Sequence, residues 1–313
     1  MTEISIDRAV WAGFRLVRQH PVAFLAWTGV YVVLGLGPVL LLMAVIGPEY
    51  VGFFQSAMNA AAAGTQPDVA ATNALMAQMQ GVQAISILAA LVLYAVLYAA
   101  IFRAVLEPGN KRFAYLRLGA DELRLGVLIA MLYVGVFVVV MVAVVLMGAV
   151  IAAAALMGSM IVAVVLGMAG FVGLVVGGIW LAARLSMVLP MTFERKTFMI
   201  GPAWALTRGH GWRLSLIVLL LLLIMLGMGL VVMLFYGVGA VTLMASIGDA
   251  AALTDYFSRP ADALFRDLSP WVAIIALLSS VVSSLYMVVG AAPWAVAFRE
   301  LAGDRTATED VFA

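Results

Sequence analysis

Residues 125–183 read LGVLIAMLYVGVFVVVMVAVVLMGAVIAAAALMGSMIVAVVLGMAGFVGLVVGGIWLAA, without one charged side chain. As a single straight helix this run would reach roughly 90 Å, about three times the 30 Å of a bilayer's hydrocarbon core. It must fold back on itself, and Gly158-Ser159 is the expected hairpin. Two membrane spans result, 125–156 and 160–183. Only a helix or a closed barrel satisfies its own backbone in hydrocarbon. The unbroken hydrophobicity excludes the alternating pattern of barrel strands.

The rest of the chain repeats this character. It is 66% hydrophobic and 11% charged, with a mean hydropathy of +1.16, whereas water-soluble domains carry about 25% charged residues. So much apolar surface cannot be hidden in one core of this length, and the remainder must face lipid. Four further runs reach spanning length, at 22–46, 84–102, 214–246 and 271–298. The expected fold is an all-α integral membrane protein of six transmembrane helices. Residues 1–21 form an amphipathic interfacial helix, 22–300 the six-span domain and 301–313 a cytoplasmic tail. A signal peptide is the competing reading of the first span, but its apolar run is too long and no A-x-A cleavage pattern follows.

Orientation follows from the basic residues, which concentrate in cytoplasmic loops. The segments before the first span, between the second and third, between the fourth and fifth, and after the sixth hold three, five, five and two of them. Fifteen of the seventeen thus fall on one side, which places both termini in the cytoplasm of a bacterial inner membrane. The net charge of +1 gives no sign of a nucleic-acid partner.

An internal repeat is written into the span ends. Residues 12–20, AGFRLVRQH, and 202–210, PAWALTRGH, share a small residue, an aromatic, Leu, Arg and His in register. Each precedes a span. A fainter copy, FAYLRL, stands at 113–118. The even spans close alike, with Arg103, Arg184 and Arg299 each following an aromatic and small residues. Three units follow, each an interfacial helix and a transmembrane hairpin; the alternative is that aromatic belts and terminal arginines mark membrane helix ends in general. In the first copy Ser5 can cap a helix with Ile6, Val10, Phe14 and Val17 on one face and Arg8, Arg15 and Arg18 on another, before Pro21 restarts the chain. Phe198, Ala205 and Trp212 against Arg208 and His210 suggest the same for 197–212.

The run from Pro190 to Trp212, with Glu194, Ala203, Ala205-Leu206-Thr207-Arg208-Gly209 and Trp212, resembles the P-x-x-x-E…A-x-x-x-T-R-G-x-x-W signature of the glycerophosphoryl diester phosphodiesterase membrane domain and related six-span bacterial proteins. The resemblance implies an all-helical membrane domain in a lipid context. It does not imply hydrolase activity, because the chain has only two histidines and no room for a catalytic barrel.

Searches for chemistry return little. There is no H-E-x-x-H, no G-x-x-x-x-G-K-[ST] and no G-x-S-x-G, and zero cysteines exclude disulfides and thiolate sites. His20 and His210 read as interfacial residues. Asp121-Glu122, and Asp262 with Asp267, read as solvated surface. The spans as bounded hold no charged residue, which lowers the case for ion-coupled transport. Ser279, Ser280, Ser283 and Ser284 form a small polar stripe suited to helix packing, as do Gly167, Gly170, Gly173, Gly177 and Gly178. The outer loops 47–83 and 248–270 read as solvated connections, the first carrying an amphipathic helix after Pro67 that continues into the second span.

The sequence therefore points to a non-enzymatic membrane protein, without cofactor or metal, that binds or organises lipids or serves in an envelope complex. A transporter or channel-like protein for a neutral or amphipathic solute is the second reading. Expected partners are membrane lipids, other membrane proteins or a second copy of the chain. Arg18, Arg103, Arg117, Arg184, Arg208 and Arg299, all near cytoplasmic span ends, are the candidate contacts to lipid headgroups, since guanidinium can grip phosphate with two hydrogen bonds. Ordinary anchoring of span ends is the plainer role for the same arginines.

Overall fold

A computed structural model describes residues 4–37, 60, 64, 69–109, 112–247 and 261–312. Among these every regular element is helical. The order is α1 (Ile6–Val10), α2 (Ala12–Gln19), α3 (Pro21–Tyr31), α4 (Val69–Leu106), α5 (Ala120–Leu156), α6 (Met160–Leu185), α7 (Val188–Arg195), α8 (Ile200–Leu206), α9 (Gly211–Ile247) and α10 (Ala261–Phe312). A π-helical turn, Val32–Leu36, continues α3, and Arg112–Tyr115 form a tight turn before α5.

Five stretches among the described residues are long and apolar enough to cross a membrane: Met79–Leu106, Arg112–Leu156, Met160–Arg195, Gly211–Leu234 and Leu277–Gly303. The shorter apolar stretch Pro21–Gly35 begins the first expected span, of which 38–46 lie outside the described residues. The chain is an all-α membrane protein. The hairpin falls where expected. α5 ends at Leu156, Gly158 takes φ +78, and α6 starts after Ser159. Glycine enters this left-handed conformation without the Cβ clash that penalises other residues. Away from the first turns of α5 and the last turns of α6, the two helices pack mainly on each other and present apolar side chains such as Phe137, Val145, Leu146 and Phe171 outward, as lipid-facing helices do.

The loops expected at 47–83 and 248–270 lie largely outside the described residues. Where the chain is described there, α4 starts at Val69 and runs unbroken into the second span, and α10 starts at Ala261 and runs unbroken into the sixth. α10 also passes the expected end of that span and continues through the tail to Phe312.

The contacts divide the chain into two compact units. The first comprises Met1–Pro21, Tyr94–Leu223 and Met287–Ala313. Its core joins the small-residue end of α4 (Ala95, Ala99, Ala100, Phe102) to Leu125 and Leu128 of α5, Met187 and Val188, Leu214 and Ile217 of α9, and Ala291 and Ala295 of α10. Small residues let these helices approach closely. A Cβ at Gly126 would stand 3.3 Å from that of Ala95, and one at Gly13 only 2.6 Å from the Cα of Val289. α2 is thus seated directly on the α10 backbone.

That seating corrects the helical face expected for 5–20. Ser5 does cap, its hydroxyl accepting from the Arg8 amide at 3.5 Å. Trp11, at φ −87 and ψ 4, then divides the segment into two helices. A single 3.6-residue period does not carry across the break. The buried face is Ala9, Val10, Ala12, Gly13 and Leu16, while Phe14 and Val17 are half-buried.

The second unit comprises Val22–Leu93 and Ile224–Tyr286. In it Trp27 is fully buried, Thr28 bonds back to the Phe24 carbonyl, and the Tyr286 hydroxyl donates to the Met225 carbonyl at 2.8 Å. Ser280 and Ser284 turn inward and are buried. Of the expected stripe these two pack inward, while Ser279 and Ser283 are half-buried.

Candidate functional site

The three expected repeat units share their arginines but not their backbone. In the first and third, a short helix (α2, α8) leads through His20 or His210 into an apolar helix, α3 or the longer α9. The second differs. Phe113, Ala114 and Tyr115 all take positive φ, from 52 to 66, and form a left-handed turn in place of an interfacial helix. Three consecutive L-residues in this region carry a cost of about 1–2 kcal/mol each, so the surroundings must hold them.

Arg103, in the last turn of α4, does so. Its Nη1 donates to the Tyr115 carbonyl at 2.8 Å, and its Nη2 donates to the Glu122 carboxylate. The guanidinium also lies 5.6 Å from the centre of the Phe193 ring. Arg103 and Glu122 are 3% and 5% exposed. Asp121-Glu122 is therefore not simply a solvated pair: Asp121 bonds Arg124 near the surface, but Glu122 faces inward. Adjacent residues on a helix point apart, and the inward one meets a cation. Tyr115, which this arrangement buries, receives His20 edge-on at 5.7 Å.

On the other side of His20 a cleft of about 470 Å³ opens between the N-terminal helices and the ends of α4 and α10. Arg8, Arg15 and Arg299 supply three guanidinium groups, and Glu300 one carboxylate. Apolar wall is given by Ala12, Leu16, Val105, Pro108 and Val296. Each charge is aimed by a local contact. Glu300 accepts from the Ser5 amide at 2.9 Å and lies 3.5 Å from Arg8. Arg15 donates to the Arg8 carbonyl, and Arg299 to the Val105 carbonyl at 3.4 Å. The cleft is amphipathic, lined by both cations and apolar side chains.

The structure does not bring the six expected arginines together. Arg103 is buried against Glu122 and presents nothing to solvent, which removes it from any surface headgroup site. Arg299 lines the cleft. Arg18 is exposed in the last turn of α2, Arg117 is exposed between the left-handed turn and α5, and Arg208 is exposed in the turn after α8. Arg184 is half-buried in a separate place. Its guanidinium lies 5.5 Å from the Trp180 ring and 5.8 Å from the Trp204 ring, and its Nη1 donates to the Thr207 hydroxyl at 3.3 Å. Arg8, Arg15, His20 and Glu300 are the cleft residues outside the expected set. Arg8 and Arg15 stand on two helices divided at Trp11 and are joined by the bond from Arg15 to the Arg8 carbonyl, not by one helical period, and Glu300 follows the repeated arginine directly.

Among the described residues no three His, Asp or Glu side chains gather as metal ligands. No family model matches this chain, and no curated protein or solved structure matches it either.

Proposed function

We propose that this polytopic membrane protein binds anionic phospholipid, and that the cleft between α2, α4 and α10 receives the headgroup. The observation that carries this reading is a cleft lined by three guanidinium groups, one carboxylate and apolar side chains, at the ends of apolar helices. A free anion needs only the cations, and an uncharged amphipathic solute needs only the apolar wall. A phospholipid needs both. Guanidinium pairs with phosphate oxygens through two parallel hydrogen bonds, and each cation close to an anionic leaflet contributes about 1 kcal/mol. By the distribution of basic residues this end faces the cytoplasm of a bacterial inner membrane, and the role is structural or organisational and not enzymatic. The resemblance of 190–212 to a membrane domain with a lipid context is in keeping with it.

One observation bears on the transport reading. Arg103 and Glu122 are charges buried between spans, the feature that marks many ion pathways. Both, however, lie in terminal turns, and each neutralises the other. Such a pair locks helices together.

The test is the lipid retained on purification. Arg15→Gln with Arg299→Gln should lower the anionic phospholipid retained relative to wild type, compared at fixed salt because exposed charge is screened over roughly 10 Å, while zwitterionic lipid stays unchanged. Equal retention of anionic lipid by the double variant contradicts the assignment.

A further inference from the structure

The Arg184 cluster lies on other elements and is independent of the cleft. Arg184 and Arg103 occupy equivalent positions in the repeated sequence, at the close of an even span, and both rest on aromatic rings. Arg103 is neutralised by Glu122. Arg184 has no carboxylate partner among the described residues, where ion pairs are formed by Arg8, Arg103 and Arg124. Its cation is instead held by Trp180, Trp204 and Thr207. Thr207 is fully buried and its own hydroxyl donates to the Trp204 carbonyl at 2.8 Å, which turns its acceptor lone pairs to Arg184. The Nε of Arg184 is shut from solvent without a hydrogen-bond partner among the described residues. The same is true of Nδ1 of His210, whose backbone amide donates to the Thr207 carbonyl.

A stacked guanidinium is pre-organised, with its planar fork fixed and its charge weakly hydrated. A buried donor left unmade, as the Arg184 Nε–H is, carries a desolvation cost that a bound acceptor removes. Tryptophans of this kind also mark the depth at which headgroups lie. From the missing counter-charge and the two orphaned nitrogens we infer that Arg184 and His210 form a phosphate site of their own. Trp180, on whose ring the guanidinium rests, is itself half exposed on α6. The chemistry required is a phosphate group carrying negative charge, either on a lipid headgroup or free.

The experiment titrates purified protein in uncharged detergent with dihexanoyl phosphatidic acid and, separately, with inorganic phosphate, by calorimetry. Carrying Arg15→Gln and Arg299→Gln in every sample disables the cleft, so that failure of one site is distinguishable from failure of the other. In that background the phosphatidic acid should still bind. Arg184→Lys, which keeps charge and loses the fork, should weaken it at least about tenfold, and His210→Asn or Thr207→Val should weaken it less. Binding of phosphatidic acid alone identifies a lipid headgroup as the ligand, and binding of both identifies the phosphate group as sufficient. Because Thr207→Val and His210→Asn leave Arg184 in place, they test the site even if an Arg184 variant fails to fold. Absence of binding in the cleft-disabled protein, or equal binding by all its Arg184, His210 and Thr207 variants, overturns the proposal.

Discussion

The guanidinium of Arg103 and the carboxylate of Glu122 meet inside the protein, joining the last turn of α4 to the first turn of α5. The same guanidinium holds the Tyr115 carbonyl at the end of a left-handed turn. One side chain thus ties two spans and the strained link between them.

Removing one partner of a buried pair leaves the other charge uncompensated, at about 3–5 kcal/mol. Glu122→Ala should lower stability by that amount, read as the thermal midpoint in mild detergent. Arg103→Met combined with Glu122→Leu should be less damaging than Glu122→Ala, although the Tyr115 carbonyl then loses its donor. A Glu122→Ala protein as stable as wild type would show that the pair is incidental.

Gly13 permits α2 to rest on the backbone of Val289. Gly13→Leu has no room without lifting the helix, and Gly13→Ala should cost about 1–3 kcal/mol as overpacking does. Limited trypsin digestion follows this directly: cleavage after Arg15 or Arg18 should be faster in the leucine variant, and unchanged rates would mean α2 is held elsewhere.

Gly158 and Gly148 offer a paired comparison. Gly158 turns the α5–α6 hairpin at φ +78, whereas Gly148 is inside α5 with open space around it. Gly158→Ala should destabilise by about 1–2 kcal/mol, and Gly148→Ala should be neutral or slightly stabilising. Equal effects at the two positions would remove the conformational argument.

Much of this fold is legible in the sequence, for reasons that differ by residue. Gly158-Ser159 is readable because an apolar run too long for a bilayer has to turn, and these residues suit the turn. The buried pair is not. Helical spacing relates residues within one element, while Arg103 and Glu122 stand on two elements separated by a charged segment. The face of α2 is misread for a local reason, since Trp11 breaks the period that 6–17 seem to share. The site is legible in type only: arginine at the close of each even span is visible, but whether a carboxylate, an aromatic pair or a cleft receives it depends on packing.

The side of the membrane is tested by labelling. With no native cysteine, single cysteines at Gln66, Asn110, Ser159, Arg195 and Asp255 can be probed with an impermeant reagent in intact cells. Gln66, Ser159 and Asp255 should react and Asn110 and Arg195 should not; labelling of Asn110 would reverse the orientation.

The central claim is that the cleft selects anionic lipid, and a photocrosslinker placed in it reads the occupant directly. Val296→p-benzoylphenylalanine puts the reactive group on the apolar wall of the cleft, and Leu146→p-benzoylphenylalanine puts it on the outward face of α5. After irradiation in membranes, mass spectrometry should find anionic phospholipid enriched at 296 above its share of the bilayer, and bulk composition at 146. The same bulk composition at both positions would contradict the account.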